Sequence, residues 1–191
     1  MTLGKSAFTA FAVFLGLTAH AVADEQSDAL AAEARGIIAQ FAEKLKSELT
    51  GAIKVDGPLK AIEVCHVAAP AIAADSSAGG WVVGRTALKL RNPNNAPDEW
   101  ERSVLEDFDA ARSKGADVTK LQRVQIVEKD GARTFRFMKA IPVAEMCLTC
   151  HGEVIKEPVR EKLTELYPQD RATGYKEGDI RGAFTLSRPM Q

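Results

Sequence analysis

Between Asp28 and Thr50, apolar residues recur at Leu30, Ala34, Ile37, Ile38, Phe41, Leu45 and Leu49 with charged residues between them. That period predicts an amphipathic helix, and Gly51 follows it in the position of a C-terminal cap. Pro58 suits the start of a second helix over Leu59 to Ala74, with Leu59, Ile62, Cys65, Ala69 and Ile72 along one face. Pro70 is a point where this helix can kink or end early. A polar, glycine-containing loop over Asp75 to Gly80 leads into a strand over Trp81 to Leu90. Arg91 to Pro97 holds two prolines and three asparagines, which favour turns over helix.

Helical periodicity returns over Asp98 to Lys114 through Trp100, Val104, Leu105, Phe108 and Ala111, with Asp98 as N-cap and Gly115 as the stop. Leu121 to Val127 and Thr134 to Val143 flank Lys129-Asp130-Gly131, and Asp-Gly between two β-type runs predicts a hairpin. Gly178 to Ser187 reads as a last strand. The order predicts an α+β fold, an antiparallel sheet of about four or five strands with helices on one face.

Composition narrows the class. The 191 residues carry 25 Lys+Arg against 26 Asp+Glu, with 46% apolar and 27% charged residues, as expected of one ordinary globular domain. A net charge of −1 argues against a nucleic-acid partner, which needs a basic surplus. Lys5, the apolar run Ala7 to Leu17 and the small-x-small triplet Ala21-Val22-Ala23 predict a signal peptide over residues 1–23, cleaved after Ala23. The apolar run is shorter than the roughly 20 residues a spanning helix needs, and no later segment is longer. The expectation is therefore one domain over 24–191, exported to a bacterial periplasm and without a membrane span.

Cys147-Leu148-Thr149-Cys150-His151 is C-x-x-C-H, the attachment signature of c-type haem. Each sulfur adds across one porphyrin vinyl group, the two intervening residues match the vinyl spacing, and the His is delivered to the iron as an axial ligand. A zinc site would need a second Cys pair, and only Cys65 remains; a thioredoxin motif would open a helix in a β-α-β unit. The sequence thus predicts one covalent haem c with His151 on its iron. Met138, Met146, Met190, His66 and Cys65 are the candidates for the other side. Met138 reads as core filling, Met146 adjoins the attachment site, and Met190 sits in a frayed tail. Cys65 and His66 are neighbours on one helix and point about 100° apart, so both cannot easily face one iron.

Several blocks together resemble the PAS-like c-haem domains, which occur as lone exported haem proteins and as extracytoplasmic sensor modules. They are Ala61-Ile62-Glu63-Val64-Cys65 with Ala69-Pro70-Ala71-Ile72-Ala73, then Gly84 through Glu101 with its Arg91-Asn92-Pro93-Asn94-Asn95-Ala96-Pro97-Asp98 core, then Cys147 to Gly152, and finally Gly182 to Ser187. The resemblance implies a PAS-like sheet flanked by helices. It also implies His/Cys ligation, with Cys65 opposite His151; His66, its neighbour in the sequence, is the alternative. Arg85 or Arg91 is expected to meet a haem propionate, since planar guanidinium pairs well with carboxylate; Lys89 is a weaker candidate. Charges along Glu153 to Asp170 read as a solvated face, and the Tyr167 to Tyr175 stretch as an ordered loop that walls the pocket.

The expected function is electron transfer or redox sensing through a separate redox or signalling partner. Alternatives are sensing of a diatomic gas and, further behind, a haem enzyme of peroxidase or sulfur-oxidising type, since a distal acid–base group is not evident.

Overall fold

The structure, a computed structural model, describes residues 16–190. Most of the leader read over residues 1–23 lies outside the described residues. The chain runs α1 (Gly16–Ser76), β1 (Val82–Thr86), α2 (Glu99–Ser113), β2 (Gln122–Lys129), β3 (Ala132–Pro142), α3 (Leu148–His151), α4 (Glu157–Leu166) and β4 (Ile180–Met190), with short 3₁₀ turns at Pro93–Asn95, Val118–Lys120 and Glu145–Cys147.

The expected break between the two N-terminal helices falls at Gly57, not after Gly51. Gly57 has φ 79° and ψ −173°, and the helix continues on both sides of it. Pro58 disfavours helical backbone in the residue before it, and a glycine takes the left-handed conformation without a Cβ penalty. Gly51 lies inside the helix, where no such constraint acts. Pro70 leaves the helix uninterrupted to Ser76, and its side chain faces outward. The hydroxyls of Ser76 and Ser77 then donate to the carbonyls of Ile72 and Ala73, satisfying acceptors at the helix end.

The four strands form one antiparallel sheet in the order β1-β4-β3-β2. Asp130 (φ 53°) and Gly131 (φ 76°) make the tight turn between β2 and β3, the conformation that Asp-Gly favours. β1 is shorter than expected and ends at Thr86; the proline-rich block begins only at Arg91. Met190, expected in a frayed tail, pairs with Arg133 at the end of β4.

Helices cover both faces of the sheet, not one. On one face Ala34, Ile38 and Phe41 of α1 pack with Phe135, Phe137, Phe184, Leu186 and Val83. On the other, Val104, Leu105 and Phe108 of α2 pack with Met138, Ala140, Ile180 and Ala183. The alternation along β3 explains this: Phe135 and Phe137 face α1 while Met138 and Ala140 face α2. Met138 is fully buried core, as its strand position implied.

The α2 N-terminus carries a full capping box. Asp98 accepts from the Glu101 amide at 2.8 Å, and Glu101 accepts from the Asp98 amide at 3.1 Å. Glu101 is buried and also accepts from Arg136 and from the Thr185 hydroxyl, which ties the helix start to the sheet. Asp98→Ala is expected to cost about 1 kcal/mol, read as a lowered urea midpoint. Asp98→Asn, which keeps an acceptor, is expected to lose clearly less.

Candidate functional site

The antiparallel order brings three chain segments to one end of the sheet: the exits of β1 and β3 and the entry to β4. The C-x-x-C-H segment follows directly from β3. Cys147 closes a 3₁₀ turn and Leu148–His151 forms the single turn α3, so Cys147 and Cys150 lie three residues apart on one helical surface. The Tyr167 to Tyr175 stretch straps this turn in place. The amides of Gly174 and Tyr175 each donate at 3.0 Å, to the carbonyls of Gly152 and His151.

The same strap fixes the His151 ring. Nδ1–H donates to the Ala172 carbonyl at 2.7 Å, which sets the tautomer and leaves Nε2 with its lone pair. Nε2 accepts from Arg181 Nε at 3.4 Å and has Arg91 Nη1 at the same distance. Burial, and after it the charges of Arg181 and Arg91, hold the imidazole well below its usual pKa. His151 is therefore neutral at physiological pH, the form that can bind a metal. Tyr175 packs edge-on against the ring, with centroids 6.2 Å apart.

Arg91 is the hinge of the site. It pairs with Asp170 (Nη2–Oδ2 2.9 Å), with both side chains largely buried, and it donates to the Cys150 carbonyl. Asp170 in turn caps the strap by accepting from the Ala172 amide at 2.8 Å. Arg85 is on the α1 face of β1, paired with Phe184 in register and lying 5.7 Å from the Phe41 ring centre. Arg181 donates to the Lys89 carbonyl and lies over Tyr175. Neither Arg85 nor Arg181 has a carboxylate partner among the described residues.

Cys65, on the second half of α1, belongs to this cluster. Burial pushes its thiol above the usual range, while Arg85, Arg91 and Arg181 oppose that shift and Cys147 adds to it. Cys150 is also pushed up by burial, against the pull of Arg91. All three cysteines are free thiols. His66 is exposed and packs edge-on to Tyr167 at the start of the strap, with ring centres 5.1 Å apart. Tyr167 is buried, and burial raises its phenol to about 12, so it stays protonated.

Cys65, Cys147, Cys150, His151, Arg85 and Arg91 thus converge, and Arg181 joins them unforeseen. Its signal in the sequence was faint: one charged residue between Ile180 and Gly182 at the start of a strand. The Glu153 to Asp170 segment is not merely a solvated face. Val159 and Leu163 of α4 are buried against Ile62 of α1 with Tyr167, and Asp170 serves Arg91.

Fold and site together define a small α+β module with a thiol–imidazole–guanidinium cluster at one end of its sheet. The family model of the Tll0287-like proteins matches residues 17–189, and the chain belongs to that family. Among solved structures it is similar to the cyanobacterial heme-protein Tll0287, with 26% identity and a TM-score of 0.62, covering 83% of this chain and 96% of that one. These findings bear out the family resemblance seen in the sequence. No curated protein matches the chain.

Proposed function

We propose that this chain is an exported c-type haem protein that carries one haem attached through Cys147 and Cys150, with His151 and Cys65 as axial ligands, and that it serves electron transfer or redox sensing with a separate protein partner. The observation that carries the reading is the state of His151: neutral, fixed through Nδ1, and with the Nε2 lone pair engaged only by two long contacts at 3.4 Å to Arg181 and Arg91. The remaining donor set fits the same group. Two thiols lie three residues apart across the turn from Cys147 to His151, a third comes from α1, and Arg85, a guanidinium without a carboxylate partner among the described residues, suits a propionate. The structural relative is itself a heme-protein. When bound, haem supplies one-electron chemistry, and a thiolate ligand favours its ferric state.

The chain's own residues orient and shield. Ala172 keeps the His151 ring in the ligating tautomer. The Arg91–Asp170 pair anchors both the strap and the Cys150 carbonyl. Arg85, Arg91 and Arg181 lower the cost of a Cys65 thiolate, against the burial that raises it. No described helix is long and apolar enough to cross a membrane.

The test is electron paramagnetic resonance of the oxidised protein. A low-spin thiolate signal is expected, and Cys65→Ser is expected to abolish it. An unchanged ferric spectrum in that variant excludes Cys65 from the iron and moves the assignment to His66. Carbon monoxide added to the reduced wild type divides the two roles: uptake favours sensing, indifference favours electron transfer.

A further inference from the structure

On the α2 side of the same end of the sheet lies a second cavity of about 230 Å³. Leu105, Asp109 and Arg112 of α2 line it, opposite Lys89, Tyr175 and Arg181. Among the described residues its α2 wall donates nothing to the His151 ring, whereas Arg181 and Tyr175 on the opposite wall both touch it.

Its polar groups are only partly used. Arg112 Nη1 pairs with Asp179 Oδ1 at 3.0 Å, yet Arg112 Nε is buried without a hydrogen-bond partner among the described residues. An orphaned buried donor carries its full desolvation penalty. Among the described residues Lys89 Nζ has only the Thr173 carbonyl at 3.2 Å and the Tyr175 ring at 4.9 Å. Arg181 has no carboxylate partner among the described residues. Asp109 accepts no hydrogen bond among them, and burial raises its carboxyl pKa. Three cations face two carboxylates, and one of those carboxylates is spent on Arg112. The lining therefore offers excess positive charge, one unspent acceptor, and apolar surface from Leu105 and Ile180.

We infer that this cavity binds a short hydroxycarboxylate. The ligand's carboxylate answers the excess cations, its hydroxyl answers Asp109, and a chain of about three carbons suits a space smaller than an ordinary cofactor pocket. Arg181 lines the cavity and also donates to His151 Nε2, so occupancy and the state of the His151 site share one side chain. Only that coupling rests on the haem reading; the cavity stands without it.

Calorimetric titration of the protein as purified, with lactate as the probe, tests the site. Saturable binding is expected, weaker with propionate, and absent with 1,2-propanediol, which has no charge. Arg112→Gln and Asp109→Asn are each expected to weaken it about tenfold, the loss of one hydrogen bond to a charged group. Both variants are checked for an unchanged circular dichroism spectrum, and two substitutions guard against one misfolding. No lactate heat in the wild type, or wild-type affinity retained in both variants, overturns the proposal. So does lactate binding to haem-free protein but not to haem-loaded protein, because the cavity then belongs to the cofactor. The heat of binding does not depend on iron, so a chain purified without haem would sink the haem reading and leave this titration intact.

Discussion

Replacing Cys147 and Cys150 together by alanine is expected to yield a chain from which acidified organic solvent extracts all the haem, whereas the wild type retains it after the same treatment. The two thioethers are the only covalent bonds the proposal allows between chain and cofactor, so the difference is all-or-none. The variant should still fold. Both thiols are only half-buried, sit on a single helical turn and make no disulfide, so their loss removes little packing. His151 keeps its bond to Ala172 and its strap, so the chain should still bind haem non-covalently. Covalent haem surviving in the double variant would refute the attachment; its extraction with an unchanged circular dichroism spectrum separates attachment from folding.

Gly182→Ala is expected to destabilise the protein by about 3 kcal/mol, at the upper end of what overpacking costs. A Cβ at Gly182 would lie 2.3 Å from the Thr86 carbonyl oxygen and 3.0 Å from Ala87 Cβ. The first is backbone of the neighbouring strand end and cannot swing aside. The strain would fall beside Arg181 and the register shift at Pro142–Ile180, so the site should loosen along with the fold. Gly84→Ala, on β1 of the same sheet, is the control. Its Cβ would meet only Thr185 Cγ2 at 3.7 Å, ordinary contact, and alanine should be tolerated there. Chemical denaturation of the pair checks the contrast: equal midpoints would mean that β1 and β4 can part at Gly182 without cost.

Much of the architecture was legible because its signals are local. Asp98 announces a cap, Asp130-Gly131 a hairpin, and the β-type run over Thr134 to Val143 a strand. The failures share one cause. Gly51 and Gly57 look alike as helix stops, but only Gly57 precedes a proline that forces the backbone out of the helix. Periodicity shows which residues are buried, but it does not say which partner covers them, so helices on both faces were read as helices on one. Charges along Glu153 to Asp170 looked like a solvated face because the sequence cannot show that Asp170 meets Arg91, seventy-nine residues earlier.

The site divides in the same way. The sequence by itself determined the chemistry: C-x-x-C-H at a fixed spacing, a lone third cysteine on an amphipathic helix, and two arginines ahead of a proline-stiffened loop. Those are properties of residue type and short separation. Only the tertiary structure decided which groups share a site. The antiparallel order put the ends of β1, β3 and β4 together, which brought Arg181 to His151 and left His66 against Tyr167. It also decided the tautomer of His151, through the carbonyl of Ala172 twenty-one residues on. A hydrogen bond of that kind depends on where the strap folds back, and burial together with the arginines gathered around the ring keeps the imidazole neutral.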